Sequence, residues 1–252
     1  MTPVTTSQTT NRERSNTSAN VDLCDLQRMD IALIMNHRLY IAYHNYVWSI
    51  SLSDKVYDQP LQLTEYMKFL PKDFKRLSAA YQRPSGELVV FVEDSIYVVT
   101  KHGFTLLPDW PKKLSDIGLP KRSKINAALN TNAGRTFIIY NDDKVAEIDE
   151  CRAIVSRHTV LKDIFPGIPT GIKSAFRHTD GNLYFFTNRH FYIFNEFTGT
   201  ILSAGTFSLQ TIGIDCPRTD LLHRIQDILN RIYHRMGDRF ANGAHRIGDE
   251  DE

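Results

Sequence analysis

Nine histidines, three cysteines and 29 acidic residues are the groups in this chain able to ligate a metal or move a proton. Their spacing builds none of the familiar catalytic sites. No His-Glu-x-x-His pair stands one helical turn apart to hold zinc, and no Gly-rich loop offers its N–H groups to a phosphate. A nucleophile elbow is absent, as is a Cys-x-x-Cys pair. The acidic residues scatter through turns. Histidines such as His44, His102 and His190 do the same, with no paired axial geometry for a haem iron. Catalysis within the chain is therefore the weaker expectation. What does recur is a polar residue, Asp30, Ser78, Asn126 and Lys173, each in second place of a four-residue phrase.

The phrases are Met29-Asp30-Ile31-Ala32, Leu77-Ser78-Ala79-Ala80, Ile125-Asn126-Ala127-Ala128 and Ile172-Lys173-Ser174-Ala175. Starting at residues 29, 77, 125 and 172, they are 48, 48 and 47 residues apart. So steady a period means one structural unit copied four times. After each phrase comes a β-rich run: Tyr40–Tyr43, Leu88–Val92, Phe137–Tyr140 and Leu183–Phe186. A polar turn follows, at His44-Asn45, Glu93-Asp94-Ser95, Asn141-Asp142-Asp143 or Asn188-Arg189-His190. The second runs are Tyr46–Trp48, Ile96–Val99, Val145–Ile148 and Phe191–Phe194. Branched and aromatic runs separated by such turns read as hairpin-linked antiparallel strands. With a further outer strand, each repeat has about four strands, the size and content of a propeller blade.

The small residues of the phrase suit an innermost strand, where neighbouring backbones converge near an axis. Carbonyls repeated around that axis would suit hard cations, which take oxygen ligands. Matching connectors lie between repeats: Phe69-Leu70-Pro71, Ile117-Gly118-Leu119-Pro120 and Phe165-Pro166-Gly167-Ile168-Pro169. Their prolines fix φ and remove an N–H, as a chain crossing from rim to axis requires. Gly-(Leu/Ile)-Pro, then Ile-x-Ala-Ala, then strands with an aromatic pair resembles the hemopexin-like domain. That module occurs in matrix metalloproteinases, vitronectin and hemopexin, and the resemblance covers roughly Leu23 to Cys216. It implies an all-β, four-bladed β-propeller.

The resemblance also implies sites. Hemopexin-like domains hold a channel ion, Ca²⁺ or Na⁺, through main-chain oxygens at the polar positions, here Asp30, Ser78, Asn126 and Lys173. A second channel ion would use main-chain groups of Ala32, Ala80, Ala128 and Ala175. This chain departs from the family in keeping only one of the frequent aspartates, Asp30, and in placing Lys173 where a cation is expected. It departs again at Ala146, where the family tends to carry a large aromatic. The family bridges the positions of Cys24 and Cys216, which would clasp the last blade to the first. In the chain-entropy model so long a loop is stabilised by about 5 kcal/mol. Two buried thiols flanking the repeats are the other reading, and Cys151 is left as an inert or a reactive thiol. Haem capture is not expected, because hemopexin itself uses two such domains and a His-bearing linker.

Function then follows by resemblance: a non-catalytic extracellular or secreted binding module that recognises matrix proteins, proteinase substrates or proteinase inhibitors. The chain itself is expected not to be an enzyme, though it fits the C-terminal part of a zinc metalloendopeptidase. A haem- or ion-binding hemopexin relative and an oligomerising structural module are the alternatives. A net charge of +1 gives no electrostatic case for nucleic acid, and no apolar stretch is long enough for a transmembrane segment. Residues 1–20 read as a disordered Ser/Thr-rich linker, with an N-glycosylation sequon at Asn16. No signal peptide opens the chain, in tension with a disulfide, so a piece of a longer secreted product is expected. Residues 217–252 read as a helical tail with a frayed acidic end. Its apolar spacing over residues 219–240 suits an amphipathic helix capable of self-association, with a His-Arg repeat of period 11.

Overall fold

Sixteen strands among the described residues form four antiparallel sheets of four. The first holds β1 (Ile31–Met35), β2 (Arg38–Tyr43), β3 (Tyr46–Ser51) and β4 (Leu61–Gln62). The second holds β5 (Ala79–Gln82), β6 (Leu88–Val92), β7 (Ser95–Val99) and β8 (Lys112–Lys113). The third holds β9 (Ile125–Asn130), β10 (Thr136–Tyr140), β11 (Lys144–Asp149) and β12 (Ile154–Val160). The last holds β13 (Ser174–Arg177), β14 (Leu183–Phe186), β15 (His190–Asn195) and β16 (Thr200–Thr206). These come from a computed structural model describing residues 21–57, 59–100 and 103–216. The Asn16 sequon, the residue 1–20 linker, His102 and the residue 217–252 helix all lie outside the described residues.

Each sheet is a meander, its strands paired in sequence order. Tight turns allow this. Asn36 and His37 both adopt left-handed backbone, with φ of 51° and 59°, as the two central residues of a twist-compatible hairpin turn do. The phrases open the innermost strands, and β1, β5, β9 and β13 close a ring. Strand β1 lies beside β5 and β13, and β9 lies beside the same two. The fold is a four-bladed β-propeller.

Its hydrophobic core lies between blades rather than within them. One cluster joins Ala80, Val90 and Val99 of the second blade to Ile31 and Ala42 of the first. Another joins Ala79, Val89 and Phe91 of the second to Ala128, Ile138 and Ala146 of the third. A third joins Ala127, Phe137 and Ile139 of the third to Ala175, Phe185 and Phe194 of the fourth. Consecutive alanines thus face opposite neighbours, as strand pleating dictates. Both faces of a blade must be apolar, and at its narrow inner end only small side chains fit. Ala146 is fully buried in the second of these clusters, which Trp110 and Val155 help to fill.

Before each connector the chain makes one turn of helix: α1 (Leu63–Tyr66), a 3₁₀ turn at Leu114–Ile117 and α2 (Leu161–Ile164). The 3₁₀ turn ends at Gly118, whose φ of 94° is a left-handed cap that favours glycine. The helical turns insert apolar wedges between blades. Phe165, just after α2, packs its ring 5.6 Å from Phe137 of the third blade. It also lies 4.9 Å from Phe185 and 5.7 Å from Phe194 of the fourth. Strands β12 and β16 are long outer edges with mostly exposed side chains.

Of the described residues, those up to Phe207 belong to one compact unit and those from Ser208 onward to a second. In the second, Leu209–Ile212 makes a 3₁₀ turn capped by Ser208, whose hydroxyl accepts from the Gln210 N–H at 3.2 Å.

Replacing Phe165 by Ala should cost about 3–5 kcal/mol, since the ring fills an inter-blade gap that two rigid sheets cannot collapse. Ile154→Ala, on an exposed edge, should cost well under half of that; thermal unfolding of both variants measures the contrast. A pH effect is expected in the third blade. Arg135 donates to both Glu147 carboxylate oxygens, at 2.6 and 2.9 Å, and Arg157 adds an ion pair at 3.2 Å. The Arg135 hydrogen bonds hold the Glu147 carboxyl below its ordinary 4.5. A depressed folded pKa gives stability present above the unfolded value and lost as pH falls through the folded one. Glu147→Gln should therefore flatten the loss of stability below about pH 4.5 in acid denaturation.

Candidate functional site

Strand register explains why the phrases end at a channel mouth. The strand begins at the third residue of the phrase in the first, second and fourth blades, so Asp30, Ser78 and Lys173 sit just ahead of it. Their N–H groups still donate to the second strand, at the carbonyls of Ala42 (2.9 Å), Phe91 (2.8 Å) and Phe186 (2.7 Å). In the third blade the strand starts two residues earlier, at Ile125, and the register shifts at Ile139/Tyr140. All four polar residues line one cavity of about 440 Å³ at the N-terminal end of the inner strands. The structure brings this predicted set together.

The polar side chains, however, are already employed. The Asp30 carboxylate, 7% exposed, accepts the His44 N–H at 2.7 Å and meets Arg76 at 3.3 Å. Asn126 does the same work in the third blade. Its carbonyl accepts the Asp142 N–H and its amide donates to the Asp142 carboxylate, both at 2.9 Å. His44 and Asp142 both hold left-handed turn conformations, with φ of 53° and 68°. A recurring reason for a polar residue here is thus to clamp the turn between the second and third strands.

The second predicted set divides. Ala80 and Ala128 line a cavity of about 540 Å³ at the opposite mouth. The Ala32 N–H donates to the Ser174 hydroxyl at 3.0 Å, which ties the first blade to the fourth. Ala175 is buried between the third and fourth blades. Arg83 pairs with Glu150 at 2.9 Å near this second mouth, joining the second and third blades.

Residues that the phrase alone did not reveal line the first mouth as well: Arg28, Arg76, Arg122 and Lys124. A signal for three of them was present. Arg28, Arg76 and Lys124 each stand immediately before a phrase, 48 and 48 residues apart. With Lys173 they form a basic ring, against the acidic lining residues Asp30, Glu93 and Asp94. Asp94 is bonded to Lys113 at 3.0 Å, and this interaction holds its carboxyl below the ordinary value. Hard divalent cations bind clusters of anionic or carbonyl oxygen. A mouth with a half-buried lysine and three arginines fits such an ion poorly. Nor do any three His, Cys, Asp or Glu side chains among the described residues converge to hold a metal.

Cys24 and Cys216 are each disulfide-bonded. Cys151 is a free, exposed thiol in the turn after β11. No helix among the described residues is long and apolar enough to cross a membrane.

Comparison with known proteins places the fold. The chain is 25% identical over 169 residues to Matrix metalloproteinase-2 of Drosophila melanogaster, covering 66% of this chain and 22% of that protein. It is 28% identical over 131 residues to Matrix metalloproteinase-27 of Homo sapiens, covering 50% and 24%. It therefore spans under a quarter of the length of these relatives. Among solved structures it matches the hemopexin fold protein CP4 from cow pea, with TM-score 0.61, 12% identity, and coverage of 74% and 96%. It also matches a plant lectin with two metal binding sites from Cicer arietinum, at TM-score 0.59 and 17% identity over 73% of this chain and 95% of that one. No family model matches. The chain has the hemopexin-like four-bladed propeller fold and is similar in sequence to part of matrix metalloproteinases.

Asn126→Ala should cost about 1–3 kcal/mol, because it removes both hydrogen bonds that the buried Asn126 side chain makes to the half-buried Asp142 turn. Ser78→Ala, at the equivalent but half-buried place, should change stability by less than about 0.5 kcal/mol. Urea unfolding of the two variants separates a clamp from a filler.

Proposed function

We propose that the chain is a non-catalytic recognition module of an extracellular protein, the propeller portion of a matrix-metalloproteinase-like product. The observation that supports this most is the placement of its chemistry. Strong polar interactions are spent on turns and blade-to-blade ties, while the sheet edges and loops of the rim stay exposed. A rigid scaffold with exposed loops is suited to binding partners rather than to transforming them. Similarity to metalloproteinases supports partners of their kind: matrix proteins, proteinase substrates or proteinase inhibitors. Disulfide-bonded cysteines agree with an oxidising compartment. Within this reading the Cys24–Cys216 linkage is structural and Cys151 plays no catalytic part.

Surface plasmon resonance of the purified chain against immobilised collagens, other matrix proteins and tissue inhibitors tests the proposal. Saturable binding with Kd in the micromolar range or tighter is expected for at least one of them, with no peptide hydrolysis. Chelator-sensitive cleavage of peptides by the chain alone would overturn the non-catalytic reading, and a Soret band on haemin titration would favour a haem carrier. Peptide mapping of the unreduced protein should recover Cys24 linked to Cys216, and Cys151 alkylated.

A further inference from the structure

Five basic side chains, Arg28, Arg76, Arg122, Lys124 and Lys173, line the 440 Å³ cavity at the N-terminal mouth of the channel. Three acidic residues share that lining: Asp30, Glu93 and Asp94. Asp30 is taken up by the His44 N–H and Arg76, and Asp94 by Lys113, which lies outside the lining. Arg28 lies over the Tyr43 ring, 5.8 Å from its centroid, and no ion pair engages Arg28, Arg122, Lys124 or Lys173 among the described residues. Four cations therefore face one concave space with only Glu93 left to balance them. Arg28, Arg76 and Lys124 also occupy the same place in successive blades, so the positive charge is distributed around the axis rather than gathered on one side.

From this ring we infer that the mouth is a binding site for a tetrahedral oxyanion, sulfate or phosphate, and not for Ca²⁺. Guanidinium forks match the geometry of such anions in pairs, and lysine supplies a point charge beside them. Ser78 lines the same cavity, whereas the Ser123 hydroxyl already donates to the Pro120 carbonyl and the Asn126 amide to the Asp142 carboxylate. Arg76, Arg122 and Lys124 are exposed and Arg28 and Lys173 half-buried, so solvent and salt screen this ring of like charges. Bound anion would relieve the mutual repulsion of the ring, so binding should also stabilise the fold. The inference does not depend on the identity of any protein partner, since an inorganic ion is its probe.

Isothermal titration of the full chain with sodium sulfate, sodium phosphate and calcium chloride at fixed ionic strength tests it. One sulfate or phosphate per chain is expected, with affinity falling as salt rises. Lys124→Ala with Lys173→Ala should weaken binding at least tenfold. The charge-conserving pair Lys124→Arg with Lys173→Arg should restore it, and circular dichroism should show the same fold in all variants. Lys121→Ala, an exposed lysine outside the lining, should leave affinity unchanged. A sulfated disaccharide that binds tighter than free sulfate, through the same lysines, would assign the natural oxyanion to a glycan; equal affinity would assign it to the free ion. Absence of saturable anion binding, indifference to the double alanine variant, or stoichiometric Ca²⁺ binding that excludes sulfate would each overturn the inference.

Discussion

Everything in this structure answers to the fact that a four-stranded sheet with two apolar faces has nowhere to hide either one. Its inner strand sends Ala79 toward one neighbour and Ala80 toward the other, and Ala127 and Ala128 repeat the division. Burial is complete only when each sheet has a sheet on both sides, so four blades in a ring satisfy one another. Polar ties then select the pairing. Arg76 reaches Asp30 from the second blade to the first, Arg83 reaches Glu150, Arg177 donates to the Thr131 carbonyl, and Ser174 meets Ala32. Each of the four junctions thus has at least one directional contact besides its apolar packing.

The same geometry decides what the molecule has to offer a ligand. Inner strands bring the first residues of all four repeats to a single mouth, so a residue type repeated once per blade becomes a ring in space. In this chain the repeated type just ahead of the phrase is basic. Carbonyl oxygens around an axis would draw a cation, and the arginines and lysines at this entrance place positive charge beside them. The fold is hemopexin-like, and the lining of this mouth carries five basic residues.

Much of the blade plan was legible from residue patterns. The branched and aromatic runs at Leu88–Val92 and Leu183–Phe186 coincide with β6 and β14, and the His44 and Asn141 turns fall where the polar residues placed them. Less legible were the single helical turns ahead of the connectors. Four residues such as Leu161–Ile164 are too few to show a helical period, and their fold comes from the wedge that Phe165 drives between blades. The meaning of the polar phrase position was also hidden. Besides the main-chain oxygens that the resemblance assigns to a channel ion, Asp30 and Asn126 use their side chains to hold turns 14 and 16 residues away, which the sequence did not show.

Sequence by itself determined the number of blades, the strand content of each and the small residues at their inner ends, because period and alternation are properties of neighbours along the chain. Only the tertiary structure decided which side chains meet at the mouth. Residues 28, 76, 124 and 173 are dozens of positions apart, and what makes them one electrostatic object is the closure of the ring. Coulombic interaction depends on distance in space, and a linear text records separation along the backbone alone.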